Sequence, residues 1–490
     1  MGANNSIKNK VLSGIGWSYA EKFMSVGMNL VISIVLARLI GPEAYGIIAI
    51  VTIFTSLANV FTQSGFSSAL IQKKDVDSRD YSTAYVFNVG ISVILYLILF
   101  FTAPLIARMY ENESICLPLR VMSISIIILG FNSIQQAYVT RNMKFRNFFF
   151  ANSIGTIVAG VLGVLMAYKG YGVWALVVNN LALAVINTLV LFVLVKEKPH
   201  LMFSLSKLKE LLSFGWKVFT ASFINVIWSD LISLVVGKKY TTTDLAYYSK
   251  GQQYPRMIYS TVYDSISKVL FPTLSKLQND DVARLQIARR SIQSGAYVMS
   301  PILIGFAAVG NQFVELLLTA KWMFCVPFLM VAASMYLVQP IKTTCYENLK
   351  AIGKVSVYLR QEIYRKLLSL TLIVLSIIFF DSPLMVLVAS VVTYYLTTLI
   401  DIFLLKRHLN YSLHVLMLDF MPSLLLALVM GIGVYFFGML NMPLLLKLTL
   451  QIVLGAAFYI VGSLITRNRT FFYILSILKG LLRRKETENA

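Results

Sequence analysis

The sequence predicts an all-α polytopic membrane protein of about 14 transmembrane helices: two parallel six-helix repeats facing a central cavity, plus two extra C-terminal helices. Three observations predict it. The 490-residue chain is 58% apolar and only 13% charged, with a mean hydropathy of +0.74, whereas soluble domains are about half apolar and about a quarter charged. Its apolar runs are long, as in "LTLIVLSIIFF" (Leu370 to Phe380), and lack the alternation of a membrane β-barrel. Its basic residues fall in every second loop, as positive-inside threading requires.

A span needs ~20 mostly apolar residues. Taken in order, such segments lie near 14–39, 44–66, 81–103, 117–137, 148–168, 171–195, 211–236, 289–310, 322–340, 361–380, 383–405, 415–437 and 443–465. Lys8 and Lys10 precede the first. It is too long for the apolar core of a signal peptide and shows no small-residue cleavage site, so it is expected to remain as a helix with its N-terminus inside.

The basic loops follow in turn: Lys73, Lys74 and Arg79; Arg141, Lys144 and Arg146; Lys196, Lys198, Lys207 and Lys209; Lys276, Arg284, Arg289 and Arg290; Lys350, Lys354, Arg360, Arg365 and Lys366; Lys406 and Arg407; then the tail from Arg467 to Lys485. The net charge of +21 is therefore mostly a topology signal. Nucleic-acid binding is not expected, because no soluble domain exists to hold a duplex.

One segment resists a hydropathy reading. Residues 247–271, "YYSKGQQYPRMIYSTVYDSISKVLF", carry Lys250, Arg256, Asp264 and Lys268. If this segment stays outside, the clusters around Arg284 and Lys350 to Lys366 become external and the positive-inside pattern fails downstream. Parity thus predicts a fourteenth span, with both termini cytoplasmic. Ile258, Val262, Ile266 and Val269 mark one helical face, and Arg256, Ser260, Asp264 and Lys268 another. Asp264 precedes Lys268 by four residues, the favoured order for a helical ion pair. The alternative is an amphipathic helix lying on the surface. An internal repeat favours crossing: "LSGIGWSYAEKF" (Leu12 to Phe23) matches "LLSFGWKVFTASF" (Leu211 to Phe223), and "GPEAYG" (Gly41 to Gly46) matches "TDLAYY" (Thr243 to Tyr248). The copies lie six helices apart, so they are expected to be parallel. The corresponding divisions are 1–201, 202–411 and 412–490, with a basic cytoplasmic tail.

Enzymatic signatures are missing. Cys116, Cys325 and Cys345 have no metal spacing, the chain has three histidines, and it contains no P-loop, HExxH or GxSxG. Neither a cofactor nor a metal site is expected.

The stretch "ARLIGPEAYGIIAIVTIFTSLANVFTQSGFSSALIQKKD" (Ala37 to Asp75), with "STAYVFNVGIS" (Ser82 to Ser92) and "LFPTLSKLQND" (Leu270 to Asp281), resembles the Wzx-type lipopolysaccharide and polysaccharide flippases, in particular their colanic-acid-exporter-like branch. These belong to the multidrug/oligosaccharidyl-lipid/polysaccharide exporter superfamily. The resemblance implies a bacterial inner-membrane protein that moves undecaprenyl-pyrophosphate-linked oligosaccharide (an O-antigen, capsule or exopolysaccharide unit) to the periplasmic leaflet by alternating access. It also implies a monomeric transport unit alongside polymerase and chain-length proteins. The quoted motifs read as structural: Gly41-Pro42 as a turn, Gly65 and Gly90 as points of close helix approach.

Such a substrate needs cations for its pyrophosphate and hydrogen-bonding groups for its sugars. Arg256 and Lys22 are the first cation candidates, then Lys217 and Lys250, with Lys268 nearer the cytoplasmic end. Lys22 lies about 15 Å along the first helix at 1.5 Å per residue. Lys22 and Lys268 have snorkelling or ion pairing as alternatives. Asn180 and Asn187 share a helix face at i and i+7, and with Gln252, Gln253 and Tyr259 are the candidate sugar contacts; interhelical hydrogen bonding and packing are the alternatives. Glu21, Asp230 and Asp264 stand out as carboxylates within spans and are the candidates for ion coupling, or for charge compensation. A drug/cation antiporter of the same superfamily is the nearest competing function. A membrane glycan polymerase or acyltransferase would need a catalytic dyad or a large outer loop, and neither is evident.

Overall fold

Every regular element among the described residues of the computed structural model is a helix. The structure describes residues 2–63, 65–73, 75–195 and 202–476, and their side chains except those of 2–12, 15, 214, 264 and 265. The helices are α1 (Gly2–Leu39), α2 (Pro42–Gln63), α3 (Gly65–Gln72), α4 (Ser78–Met109), α5 (Cys116–Met122), α6 (Ile124–Arg141), α7 (Phe145–Tyr168), α8 (Val173–Leu194) and α9 (Leu205–Lys239). They continue with α10 (Thr242–Lys276), α11 (Asp281–Ala308), α12 (Gly310–Leu317), α13 (Val326–Met335), α14 (Gln339–Ala351), α15 (Val355–Phe379), α16 (Pro383–Leu409), α17 (Leu413–Phe437) and α18 (Leu444–Ile465). The chain divides into two units, 1–246 and 247–490.

Among the described residues twelve helical stretches are long and apolar enough to cross a membrane, two fewer than the sequence count. The two outside that set are α10 and α15, unbroken helices of 35 and 25 residues. Their polar and charged side chains lower the hydropathy while leaving the helix intact. The apolar surface points outward, as a bilayer solvent demands. In the first unit Phe101, Leu105, Val161 and Val193 are exposed while Asn88, Asn132 and Gln135 are buried. In the second Ile378, Phe403 and Ile432 are exposed while Lys342, Asp401 and Gln451 are buried. The chain is a multi-pass membrane protein.

Helices outrun several predicted spans because their charges are paired. α4 starts at Ser78, capped by Asp77, whose carboxylate accepts from the Asp80 amide at 2.7 Å. Asp80, fully buried, takes Lys73 at 2.9 Å and Lys207 at 3.4 Å, and Lys73 also reaches Glu210 at 2.8 Å. That cluster fastens the start of α9 to α4. Similarly the span predicted to end at 340 runs through α14 to Ala351.

The quoted motifs behave as packing devices. Pro42 opens α2 after the Gly41 turn. A Cβ on Gly46 would lie 1.8 Å from the Thr242 carbonyl oxygen, so only glycine allows this approach. Gly65 faces Gly215, each Cβ position 3.0–3.2 Å from the other's carbonyl oxygen. Gly90 does not share this role: a Cβ there meets nothing within 4 Å.

Candidate functional site

Four helices of the first unit turn a polar face toward one cavity. Glu21, Ser25 and Asn29 repeat every four residues along α1; Thr52, Thr55, Ser56 and Asn59 share a face of α2; Asn152 and Thr156 do so on α7, and Asn180, Ala184 and Asn187 on α8. All but Glu21 line a cavity of about 370 Å³, with α5 and α6 completing the wall. Its volume sits at the small end of the range for ligand sites, about 300–1,000 Å³. Among the described residues the wall holds no lysine or arginine.

A chain of amides crosses this wall. Asn132 donates to Asn187 Oδ1 at 3.0 Å, Asn187 donates to Asn152 Oδ1, and Asn152 donates to Glu21 Oε1 at 2.6 Å. Opposite, Ser56 donates to Asp230 Oδ2 at 2.7 Å. Two buried acceptors, Asn59 Oδ1 and Asn132 Oδ1, have no hydrogen-bond donor among the described residues. The cavity therefore offers neutral donors and acceptors, with a carboxylate hydrogen-bonded to each of two walls. The candidates Asn180 and Asn187 meet here, and Glu21 and Asp230 join them. Lys22 lies partly exposed on α1 and Lys217 exposed on α9, neither in the cavity wall.

In the second unit the remaining candidates occupy α10. Arg256, Gln253 and Lys268 are exposed and Gln252 is half-buried. Lys250 is buried, its ammonium 5.8 Å from the Trp322 ring and 5.9 Å from the Tyr254 ring. Tyr259 stacks on Tyr336 with ring centroids 4.7 Å apart, and its hydroxyl accepts from Gln339 at 2.8 Å. The Asp264 side chain, and with it the expected pairing with Lys268, lies outside the described residues.

From Tyr259 a polar network leads inward that the sequence reading missed. Tyr394 donates to Gln339 Oε1. Lys342 donates to Asp401 at 2.9 Å, Thr397 at 3.1 Å, and Thr398 and the Tyr394 carbonyl at 3.4 Å. Gln361 donates to the other Asp401 oxygen, and Arg365 stands 3.9 Å from Asp401 and 2.7 Å from Glu362. Lys342 and Asp401 are both buried. On α17, Asp419 receives Arg289 Nε and Nη2 at 2.6 and 2.8 Å, Gln293 at 2.6 Å and the Tyr411 hydroxyl at 2.8 Å. Asp401 and Asp419 sit inside the predicted spans 383–405 and 415–437. A lone carboxylate in an apolar window was the signal that would have found them.

Residues 35–327, more than half of the chain, match the model of the polysaccharide biosynthesis protein family. The chain belongs to that family. It is 24% identical over 345 residues to the succinoglycan biosynthesis transport protein ExoT of Rhizobium meliloti (strain 1021), covering 70% of each chain. It is 22% identical over 373 residues to the lipopolysaccharide biosynthesis protein WzxC of Escherichia coli (strain K12), covering 76% of each. In fold this polysaccharide biosynthesis protein resembles the lipid II flippase MurJ in an inward closed conformation, with TM-score 0.72 at 18% identity over 93% of this chain and 99% of that one. It also resembles an inward-facing multidrug resistance MATE family transporter, with TM-score 0.58 at 14% identity over 79% and 94%. The Wzx-type resemblance and the exporter-superfamily fold expected from the sequence are both found.

Proposed function

We propose that this chain flips an undecaprenyl-pyrophosphate-linked oligosaccharide from the cytoplasmic to the periplasmic leaflet of a bacterial inner membrane by alternating access. The amide-lined cavity of the first unit carries the reading. A glycan crossing hydrocarbon must exchange its water for other hydrogen-bond partners, since each unsatisfied polar group costs several kcal/mol, and this cavity supplies amides and hydroxyls without fixed cations. The transport role named for the succinoglycan relative and the flippase named for the fold neighbour support it.

Arg256 is the first choice for the pyrophosphate, because it is an exposed cation on a helix with a polar face. Lys22, Lys217, Lys250 and Lys268 follow. Asn180, Asn187, Gln252, Gln253 and Tyr259 serve the sugars. Glu21 and Asp230 are the first candidates for ion coupling, a reading supported by the hydrogen bond each accepts from a cavity-wall residue; Asp264 is the third. Coupling is not the only source of drive. Moving an anion outward across an inside-negative membrane releases about 2.3 kcal/mol per charge per 100 mV.

In this reading α10 and α15 cross the membrane, the two termini are cytoplasmic, and residues 1–201, 202–411 and 412–490 act as first lobe, second lobe and accessory pair with tail. The transport unit is a monomer acting beside polymerase and chain-length proteins, and it performs no covalent chemistry.

Deletion should cause the lipid-linked intermediate to accumulate. Restoration by the wild type but not by Arg256→Ala, at equal membrane levels, is the expected result. Full restoration by both Arg256→Ala and Lys22→Ala removes the cation assignment. Cysteines placed at Thr242 and Gln278 should label from opposite sides of the membrane; labelling from one side removes the α10 crossing.

A further inference from the structure

The first unit holds a second pocket, at the end of α9 away from the Lys73–Lys207 cluster. It measures about 530 Å³ and is walled by Phe54, Met109, Tyr110, Leu234 and Val235, with Lys238 and Lys239 at its rim. Lys238 and Lys239 are adjacent cations where positive-inside threading disfavours them. A cation at a helix C-terminus has a simpler explanation in the helix dipole, or in a side chain reaching for headgroups. The C-terminal end of α4, whose last residue is Met109, accounts for part of the way Lys238 is held. Its ammonium donates to the Met109 carbonyl at 2.5 Å and to Glu111 at 3.3 Å, so it is folded back over the pocket.

The floor is equally built. Tyr110 is buried, donates its hydroxyl to the Leu234 carbonyl at 3.4 Å and meets Phe54 edge-on at 6.4 Å. An apolar floor beneath two ammonium groups, at the end of membrane-spanning helices, is complementary to one kind of molecule: an acyl chain below a phosphate. We propose that this pocket binds an anionic phospholipid, with Lys238 and Lys239 on its headgroup. The partners these lysines already have do not prevent this: an ammonium carries three donors, and Lys238 uses one on the Met109 carbonyl and one on Glu111. Glu111 is 86% exposed, and an ion pair with so exposed a partner contributes about 0–1 kcal/mol at most. A phospholipid is preferred to the polyprenyl carrier because it is the abundant anion of the bilayer, and occupancy follows concentration.

The test uses the full chain purified in detergent, titrated with phosphatidylglycerol, phosphatidylethanolamine or a polyprenyl phosphate, with lipid retention read by native mass spectrometry. Phosphatidylglycerol should be retained over phosphatidylethanolamine. Lys238→Gln/Lys239→Gln should weaken its retention about thirtyfold, the loss expected on neutralising two lysines that each attract an anionic lipid by about 1 kcal/mol. Lys238→Arg/Lys239→Arg should keep it. Leu234→Trp, which fills the floor and leaves both charges, should also reduce it, so the proposal is tested even if the glutamine variant fails to fold. Equal retention of the two phospholipids, undiminished retention in the glutamine variant or in Leu234→Trp, or preference for the polyprenyl phosphate would each overturn the assignment.

Discussion

The cavity wall described in the first unit is built of uncharged groups, with Glu21 and Asp230 hydrogen-bonded to it, whereas the polar cluster described in the second unit is centred on a buried ion pair. Around the first, asparagines from α1, α2, α7 and α8 leave a cavity of about 370 Å³. In the second, Lys342, Asp401, Arg365 and Glu362 pack against one another, with Thr397, Thr398 and the Tyr394 carbonyl bonded to Lys342 and Gln361 bonded to Asp401. The difference follows from what each group tolerates. An amide with one bond missing loses a modest amount and accepts a hydroxyl in exchange. A buried ion with no counter-ion costs several kcal/mol, so an ion pair at this depth is held shut. An interior meant to exchange partners is better built of amides, and one meant to hold its geometry permits ions.

The largest expected effect breaks the ion pair. Asp401→Ala leaves Lys342 buried without its carboxylate and should destabilise by about 3–5 kcal/mol, read by thermal or denaturant unfolding of the purified protein. Lys342→Met/Asp401→Leu should recover wild-type stability. Equal damage from both variants would mean the site does not behave as an isolated ion pair. Next comes a position where the aligned repeats differ. Gly46 meets the Thr242 backbone, whereas its counterpart Tyr248 packs its ring against Phe328 with centroids 6.1 Å apart. Gly46→Ala should cost about 1–3 kcal/mol by overpacking, measurable in the same assay; no loss would show that α2 yields there.

A smaller effect is expected on the cavity side. Asn187→Leu removes bonds to Asn132 and Asn152 and should cost only about 0.6–1.7 kcal/mol, the range for polar contacts between membrane helices. Export of the lipid-linked glycan should nevertheless fall sharply. Loss of stability without loss of export would reverse the roles given to the two interiors. The smallest effect lies outside the membrane. The Asp80 amide, with Lys207 beside it, lowers the Asp77 carboxyl from 3.8 to about 2. A lowered carboxyl stabilises the fold above its ordinary value and loses that contribution as pH falls toward about 2. Unfolding midpoints measured from pH 5 to 2 should therefore fall more steeply in the wild type than in Asp77→Ala.

Much of this was legible from periodicity. Asn180 and Asn187 share a face of α8 because i and i+7 differ by nearly two full turns, and no tertiary knowledge is needed to see it. The residues 247–271 were read as helix against their poor hydropathy, and α10 is an unbroken helix across them. Asn29, Asn59 and Asn152 were harder to join, because each lies on a different helix and nothing local says which helices are neighbours. The sequence reading passed over Asp401 because its partner Lys342 is 59 residues away and falls just past the end of a predicted span.

By itself, then, the amino-acid order determined an all-helical membrane chain, the faces of its helices and the loops that carry its charge. Those properties depend on side chains a turn or two apart, and on a bilayer that admits few alternatives to the helix. Only the tertiary structure decided that Asn152 meets Asn187 beside Glu21, that Lys342 closes on Asp401, and that Lys250 is sequestered beside Trp322 and Tyr254. Such pairings depend on which helices lie side by side, and helix adjacency is set by the summed packing of whole faces rather than by any short run of residues.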